Sequence, residues 1–459
     1  MKTLDIYKTL KYLSLFNEIN TNINKITIDT RKIEKNDCYI GIKGEKNDGN
    51  KFFMDAFEKG ASLVILDNFE MTDEINDYLV KNNKSIIVVE NTIKALGDLA
   101  KYKRSLFYSP VVAITGSAGK TSTKDVIYSI LKEKYKAHKT IGNQNNHLGL
   151  PLTILSLEED NEVLVLEMGM NHLGEISYLT SIAKPDVAII TNVGTAHIGN
   201  LGSRENILKA KLEILEGLNP NGVLIINNDN DLLHKWYEEN KEKIEIHTYG
   251  INNSSDVIAE KIELGEEKSK FVVKTSSEKV NIGVPVGGEH FVYNALCGFI
   301  VGKVLGLTAK EIQNGISKFE LTKKRMDIRV LKNGATLIND SYNASYESMK
   351  ASLKYLSSRT DLRKIAVLGD MLELGDFSKE LHEKVGEEVA NDNIDVLICR
   401  GEFAKNIISK ANKNKKTQCI LLQNNEEILS KLQEILKEGD GVLIKASNGM
   451  KFYEICQKL

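Results

Sequence analysis

Apolar residues follow two alternating patterns along this chain. Short runs rich in Val, Ile and Leu, such as VVAIT, VLVLEMG and DVAIITNVG, are bounded by Gly or polar residues. Between them lie longer stretches, such as TSTKDVIYSILKEKY, in which apolar residues recur at helical spacing. Continuous apolar runs predict buried parallel strands, and the helical stretches are expected to cover them. The chain is therefore predicted to be an α/β protein.

The 459 residues are predicted to form three consecutive α/β domains, since one domain usually takes about 150 residues. The first, 1–106, has short strands such as ASLVILD and KSIIVVE. The second, 107–321, alternates strand and helix over longer periods, and a P-loop domain with a mainly parallel sheet is expected there. The third, 322–459, is predicted to be Rossmann-like, with strands such as KIAVLGD and GVLIKAS.

Composition argues against several classes of protein. The 61 basic and 63 acidic residues leave a net charge of −2, so the whole chain has no electrostatic preference for nucleic acid or an anionic membrane. No apolar run approaches the ~20 residues of a membrane span, and MKTLDIYKTLKYLSLF predicts an amphipathic helix instead of a signal peptide. Five scattered cysteines without a C-x-x-C pair predict neither a disulfide framework nor a zinc site. We expect a cytoplasmic monomer that neither binds nucleic acid nor inserts into a membrane.

The most informative segment, TGSAGKTS, joins the strand VVAIT to a helix. Its glycines let backbone N–H groups turn toward an anion, and the helix N-terminus adds a partial positive charge. Lys120 would supply a charge for the β- and γ-phosphates, and Thr121 a hydroxyl for Mg²⁺. The pattern is tighter than G-x-x-x-x-G-K-[ST], because Ile114 stands at the first Gly position. The predicted phosphate-binding residues are Gly116, Ser117, Ala118, Gly119, Lys120, Thr121 and Ser122.

Two polar residues lie at the ends of neighbouring apolar strands. Glu167 ends VLVLE, and a carboxylate at that edge beside a phosphate loop suits Mg²⁺. His197 follows DVAIITNVG, where a neutral imidazole could complete a second cation site or orient a phosphoryl oxygen, although a lone His is as often structural. Glu167 and His197 are candidate metal ligands together with Thr121.

Lys211 stands out by its position on a predicted helix. At 100° per residue it falls in the middle of the apolar arc formed by Ile207, Ile214 and Leu218, whereas Lys209 lies on the opposite, Glu-rich side. A lysine there must extend its ammonium to water (snorkel), form an ion pair with an acidic group, or change its chemical form. A buried amine with a lowered pKa can be carbamylated by CO₂, which yields a carboxylate suited to Mg²⁺. From the pattern alone, snorkelling is the simpler alternative.

A phosphate loop indicates a nucleotide but not a reaction. GTPases, motors, kinases and ligases all use one, and the absence of an N-K-x-D motif disfavours GTP.

These motifs resemble those of the ATP-dependent Mur ligases of peptidoglycan synthesis, and the resemblance extends through all three predicted domains. TGSAGKT resembles the family's phosphate loop, and NQNN followed by GLP resembles its next loop, which makes Asn145 and Asn146 candidate substrate contacts. Glu167 and His197 match the magnesium-associated Glu and His, and Ala210-Lys211 matches the segment that carries a carbamylated lysine. GEHFVYNAL resembles the adenine-contacting stretch, with Asn294 in the contacting position.

Two motifs of the third domain resemble one branch of that family, which adds D-alanyl-D-alanine to UDP-N-acetylmuramoyl-tripeptide. They are NDSYNA with the following Ser348-Met349, and VLGDMLELG. In the first domain, Asp29-Thr30-Arg31 and the segment containing Gly44, Asp48 and Gly49 resemble the loops that hold the UDP-sugar. Four residues depart from the branch pattern: Asn50 replaces His, Ser345-Tyr346 replace Asn-Pro, and Asn448 replaces Arg.

The resemblance implies ATP, two Mg²⁺ ions and a CO₂-derived carbamate on Lys211 as cofactors. It implies catalytic roles for Lys120, Glu167, His197 and Lys211. Arg325 and Asp340 are expected to reach the nucleotide from the third domain, and Tyr342 and Asn343 to contact substrate. Three alternatives stay open: a sister Mur ligase that adds a single amino acid, a folylpolyglutamate-synthase-like ligase, and a P-loop binding module or mechanical ATPase.

Overall fold

The computed structural model describes residues 1–266, 268–414 and 416–459. Its strands form three separate sheets that follow one another along the chain. Each sheet is mainly parallel and is packed by helices, so the predicted α/β fold with three consecutive units is confirmed.

The first sheet has five strands in the order β1-β5-β4-β3-β2, in which only the β1–β5 pair is antiparallel. The strands are β1 Tyr12–Phe16, β2 Ile26–Thr27, β3 Cys38–Ile40, β4 Leu63–Leu66 and β5 Ser85–Val89. The helices are α1 Thr3–Thr9, α2 Phe53–Glu58, α3 Asp73–Asn82 and α4 Thr92–Ser105.

The prediction of one helix over the first sixteen residues is wrong in its second half. Helix α1 ends at Thr9, and Tyr12–Phe16 pairs with β5, with Phe16 opposite Ile86. The helical spacing of apolar residues could not reveal this pairing, because the open edge of β5 is a tertiary feature that satisfies the backbone groups of the segment.

The second sheet has nine strands over the described residues, in the order β14-β13-β12-β11-β10-β9-β6-β8-β7. The strands are β6 Val111–Thr115, β7 Ala137–Lys139, β8 Val163–Glu167, β9 Val187–Ile190, β10 Val223–Asn227, β11 Ile246–Gly250, β12 Val257–Leu264, β13 Ser269–Lys274 and β14 Lys279–Val284. The helices are α5 Lys120–Leu131, α6 Gly149–Leu155, α7 Glu175–Ala183, α8 Ile198–Leu201, α9 Arg204–Leu212, α10 Asp231–Asn240, α11 Glu289–Val304 and α12 Ala309–Ser317. Strands β6, β8 and β9 are buried along their whole length, as continuous apolar runs predict.

The third sheet has six strands in the part of the chain described, in the order β15-β16-β20-β17-β18-β19, with β15 antiparallel to β16. The strands are β15 Asp327–Val330, β16 Thr336–Asn339, β17 Arg363–Gly369, β18 Val396–Arg400, β19 Gln418–Leu421 and β20 Asp440–Lys445. The helices are α13 Tyr346–Ser358, α14 Ser378–Asn391, α15 Ala404–Ala411, α16 Asn425–Ile435 and α17 Tyr453–Lys458.

The second and third units share one continuous apolar core. Buried residues of the central helices, such as Phe291, belong to the same cluster as Met349, Leu353 and Leu356 of α13. The opposite face of the third sheet has a core of its own, around Val367. This shared core brings the third sheet close to the carboxyl ends of the central strands.

Among the helices of the described residues, none is both long enough and apolar enough to cross a membrane.

Candidate active site

A tight glycine loop joins β6 to α5. Gly116 has φ +151°, and a Cβ atom there would overlap the Thr191 hydroxyl. Gly119 has φ +81° and is the N-cap of α5. Both positions therefore require glycine, and the loop places the N-terminus of α5 at the edge of the sheet, as predicted for an anion-binding loop.

A second loop, which follows β9, supports this glycine loop. The Ser117 N–H donates to the carbonyl of Asn192 at 3.1 Å, and the Ala118 N–H donates to Asn192 Oδ1 at 2.8 Å. In return, the Gly194 N–H donates to Ser117 Oγ at 2.9 Å. Asn192 was not among the predicted site residues, although it lies two residues after the apolar strand β9, a signal similar to that of Glu167 at the end of β8.

Glu167 is buried at the end of β8 and lies beside the start of α5. Thr121 Oγ1 donates to one of its carboxylate oxygens at 2.8 Å, and Asn145 Nδ2 donates to the other at 2.8 Å. The ammonium of Lys124, which is also buried, lies 3.8 Å from the same carboxylate. A carboxylate and a hydroxyl that already face each other form an oxygen donor set that suits Mg²⁺.

A cleft of about 850 Å³ lies between the central and third units. Most of the site residues predicted in these two units line it: Ser117, Ala118, Gly119, Lys120, Thr121, Ser122, Asn145, Asn146, Glu167, His197, Asn294, Arg325, Asp340, Tyr342 and Asn343. Gly116 lies directly before this set in the loop. The fold thus brings together predicted residues that are far apart along the chain.

Two groups in the cleft carry unpaired donors. Asn294 is buried and accepts a hydrogen bond from Thr123 Oγ1 at 3.0 Å, while its Nδ2 has no hydrogen-bond partner among the described residues. The Arg325 guanidinium stacks on the Tyr342 ring, 4.0 Å from the centroid, and its Nε is likewise unpaired within the part of the chain described. Buried donors without partners are costly, so both groups fit a polar ligand in this cleft.

Asp340 is held within the third unit. It accepts from Ser352 Oγ at 2.6 Å and from the Met326 N–H at 3.2 Å, and it pairs with the buried ammonium of Lys445. Arg325 lies between two residues with left-handed backbone, Lys324 at φ +67° and Met326 at φ +49°. This strained segment connects the central unit to β15 and sets the direction in which Arg325 points.

His197 lies in the cleft wall and contacts the third unit. Its Nδ1 lies 2.6 Å from a carboxylate oxygen of Glu373, and this contact lowers the pKa of Glu373. Both residues have left-handed backbone, at φ +63° and φ +65°. Glu373 belongs to the motif GDMLELG, but nothing in that motif indicated its partner. A role for His197 at a cation stays a prediction.

The predicted position of Lys211 in the middle of an apolar arc is confirmed, and the side chain is buried instead of extending its ammonium to water. Helix α9 ends at Leu212 and continues as a short 3-10 segment, Glu213–Gly217, yet Lys211 is only 2% exposed while Lys209 is exposed. Burial and the positive charge of Lys120 lower the pKa of Lys211 well below its ordinary value, and the carboxylate of Glu347 opposes this shift.

The first-unit residues predicted to bind substrate, Thr30, Arg31, Gly44, Asp48 and Gly49, lie outside the main cleft. The Arg31 side chain is 85% exposed and pairs with Asp29 at 2.8 Å, which lowers the pKa of Asp29 to about 2. Asp48 borders a separate cavity of about 220 Å³. Asn50, one of the departures, donates to both Asp48 and Asp67 and so ties this loop to the sheet.

The other departures also have structural partners. Ser345 is the N-cap of α13, and the Tyr346 hydroxyl donates to Glu388 of α14 at 2.7 Å. Asn448 Nδ2 donates to the carbonyl of Tyr342 at 3.0 Å.

Gly116→Ala is expected to weaken both folding and nucleotide binding, because the new methyl group must displace Thr191 at a φ that L residues disfavour. We expect a loss of about 1–3 kcal/mol in the free energy of unfolding. Denaturant unfolding and ATP titration would measure the two effects. Gly283→Ala is the control, since nothing lies within 4 Å of a Cβ there; equal damage in both variants would contradict the close approach.

Three family models match successive parts of the chain. They are described as "Mur ligase family, catalytic domain" over residues 22–104, "Mur ligase middle domain" over 114–302, and "Mur ligase, glutamate ligase domain" over 324–448. Among curated proteins, the UDP-N-acetylmuramoyl-tripeptide--D-alanyl-D-alanine ligase of Bacillus subtilis (strain 168) is 38% identical over 441 residues, which cover 96% of this chain and 93% of the relative.

Solved structures agree with this match. A MurF crystal structure from Acinetobacter baumannii superposes with a TM-score of 0.86 at 31% identity and covers 96% of this chain and 94% of its own. MurF ligase from Thermotoga maritima in complex with ADP gives a TM-score of 0.81 at 30% identity, over 94% of this chain and 96% of its own. The chain therefore belongs to the Mur ligase family, in its MurF branch.

Proposed function

We propose that this protein is an ATP-dependent ligase that joins D-alanyl-D-alanine to UDP-N-acetylmuramoyl-tripeptide in the cytoplasmic stage of peptidoglycan precursor synthesis. The observation that carries the proposal is the single cleft in which the glycine loop, Glu167 and Asn294 face Arg325 and Asp340. We also propose that the functional domains are residues 1–106, 107–321 and 322–459, and that the enzyme acts as a monomer.

The reaction needs ATP because a carboxylate oxygen is a poor leaving group. The C-terminal carboxylate of the tripeptide would attack the γ-phosphorus, and the bond to the β-phosphate oxygen would break to release ADP. The dipeptide amine would then attack the resulting acyl phosphate. The amide bond forms, the amine loses a proton, and inorganic phosphate leaves.

Charge stabilisation is the main contribution that this chain can make to such a transfer. The Lys120 ammonium, which donates to the Gly116 carbonyl at 2.6 Å in the structure, is held over the loop where the β- and γ-phosphates would lie. Arg325 would approach from the third domain, and the Asn294 amide would bind the adenine. These contacts orient the nucleotide and exclude water from the transferring group.

Magnesium, when bound, would neutralise charge on the phosphates. The residues that would hold one ion are Thr121 and Glu167, whose oxygens already face each other. His197 and a carbamate on Lys211 would complete a second site.

The carbamate is supported by the burial of Lys211 and by its lowered pKa. A neutral amine attacks CO₂, its nitrogen bonds to the carbon, and one proton is released to solvent. The product carries a negative charge, which suits a position beside Lys120 better than a second ammonium does.

The alternatives predict different substrates. A sister ligase or a folylpolyglutamate-synthase-like enzyme would release phosphate with a single amino acid, whereas a binding module or mechanical ATPase would not need an acceptor amine. We expect phosphate release only with UDP-tripeptide and D-alanyl-D-alanine together. A comparison of tripeptides that end in diaminopimelate or lysine would identify the accepted stem peptide.

Lys120→Ala is expected to lower turnover by ~10²-fold or more, because one donor at a transferring phosphoryl group contributes on the order of 3 kcal/mol. Steady-state phosphate release measures this. Affinity for UDP-tripeptide should barely change, since that site is assigned to the first domain. Turnover within a factor of three of wild type would refute the assignment of the phosphate loop.

Arg31→Ala is expected to raise the KM for UDP-tripeptide and to leave the KM for ATP nearly unchanged, as when a ground-state contact is lost. Within the described residues the exposed guanidinium pairs with Asp29 alone, so its outer side can bind diphosphate. An equal rise in both constants would instead indicate a structural role for Arg31.

Lys211→Ala is expected to be nearly inactive, because the second cation site loses an anionic ligand in a buried position. Lys211→Arg should be equally inactive, since Arg keeps the charge and cannot form a carbamate. Small carboxylic acids added to the Ala variant are expected to restore part of the activity.

Lys209→Ala is the matched control from the exposed side of the same helix. It should fold and turn over normally, since exposed substitutions usually change stability by less than about 0.5 kcal/mol. Substantial activity of Lys211→Arg would show that a cation is sufficient there, and the carbamate proposal would be abandoned.

A further inference from the structure

Glu347 is a carboxylate of the third domain that binds the central domain. It lies in the first turn of α13, and its side chain crosses the cleft to the loop after β9. The Thr195 N–H donates to Glu347 Oε1 at 2.7 Å, and the Thr195 hydroxyl donates to Oε2 at 3.2 Å. Charge-assisted hydrogen bonds of this kind are among the stronger polar contacts in proteins.

The partner loop is shaped to receive this carboxylate. A Cβ atom at Gly194 would overlap the Glu347 carboxyl group, so the close approach needs glycine at that position. The same Gly194 donates its N–H to Ser117 of the phosphate loop. Glu347 thus binds Thr195, and the residue before it, Gly194, contacts the loop that would bind the nucleotide.

The third domain holds Glu347 firmly. Ser345 caps α13, and the negative charge of Glu347 is favourable in the first turn of a helix. The hydroxyl of Tyr346 and the ammonium of Lys350 both donate to Glu388 of α14, at 2.7 and 2.8 Å. The contacts with α14 thus fix the N-terminal end of α13 that carries the Glu347 carboxylate.

A second contact across the cleft lies nearby. Glu373 contacts His197, and the Gly199 N–H donates to the carbonyl of Glu373 at 3.1 Å. The segment 194–199 is therefore held at two points by the third domain, and Glu347 supplies the point nearer to the phosphate loop.

We propose that Glu347 is a positioning residue that holds the third domain closed on the phosphate loop, through hydrogen bonds that its carboxylate accepts from Thr195. Closure places Arg325 and Asp340 across the cleft from Lys120, so the contact acts on the reaction through those residues. Only the kinetic readout rests on the proposed ligase function, since closure can be measured without turnover.

The test uses four variants of the full chain. Glu347→Ala removes the acceptor, and Glu347→Asp keeps the charge but shortens the side chain, so that it no longer reaches Thr195. Glu347→Gln keeps the length and one acceptor oxygen. Lys354→Ala is the matched control: it breaks the exposed pair between Lys354 of the same helix and Glu289 of the central domain, 3.0 Å apart, and exposed pairs contribute little.

Closure would be measured by small-angle X-ray scattering with a non-hydrolysable ATP analogue and Mg²⁺, and kcat and KM by phosphate release. We expect a larger radius of gyration and a fall in kcat of about tenfold or more for Ala and Asp, the size of effect expected when a hydrogen bond to a charged group is lost. The KM for UDP-tripeptide should stay within about twofold, since the first domain is unaffected. Gln should fall between wild type and Ala, because it keeps one acceptor oxygen but loses the charge, whereas the Lys354→Ala control should stay within about threefold of wild type in kcat.

Two outcomes would overturn the proposal: Ala and Asp variants that close and turn over like wild type, or a Lys354→Ala control as impaired as the Glu347→Ala variant. The second would show that the effect is not specific to the Glu347 contact. A failure of the ligase assignment would differ from both, because the wild type would then release no phosphate with these substrates while the scattering difference between Glu347 variants persisted. Equal unfolding midpoints for the Asp variant and wild type would exclude a general loss of fold.

Discussion

The position of the glycine loop against the segment after β9 is the constraint on which the rest of the site depends. Gly116 packs on Thr191 where a side chain would not fit, and Asn192 then binds two N–H groups of the loop. Because β9, β6 and β8 are adjacent and parallel, their carboxyl ends meet at this point. Glu167, at the end of β8, therefore meets Thr121 at the start of α5.

The third domain completes the cleft through two kinds of contact. The shared apolar core brings α13 against the central domain but does not by itself set their relative orientation, because apolar contact is non-directional. Polar contacts at the cleft, from Glu347 and Glu373, are directional and depend on the charges around them. The first kind gives the interface its stability, and the second aligns Arg325 and Asp340 with the phosphate loop.

Local patterns were sufficient for much of the fold and for the phosphate loop, Glu167 and the apolar surroundings of Lys211, whereas Asn294, Arg325 and Asp340 were predicted from the family resemblance. Buried strands β6, β8 and β9 follow from continuous apolar runs, and the phosphate loop follows from glycines between a strand and a helix. The burial of Lys211 follows from helical periodicity, even though the helix changes to 3-10 geometry after Leu212. Each of these features depends on neighbours within a few residues along the chain.

The sequence by itself determined the α/β class, the nucleotide loop, the place of Glu167 at a strand end and that of Lys211 on an apolar helix face, because period and composition act over short distances. Tertiary structure alone decided that Tyr12–Phe16 joins β5 as a strand, that His197 meets Glu373, and that Glu347 reaches Thr195. These contacts join segments far apart along the chain. Their geometry is set by how the sheets pack, and no local pattern of residues encodes it.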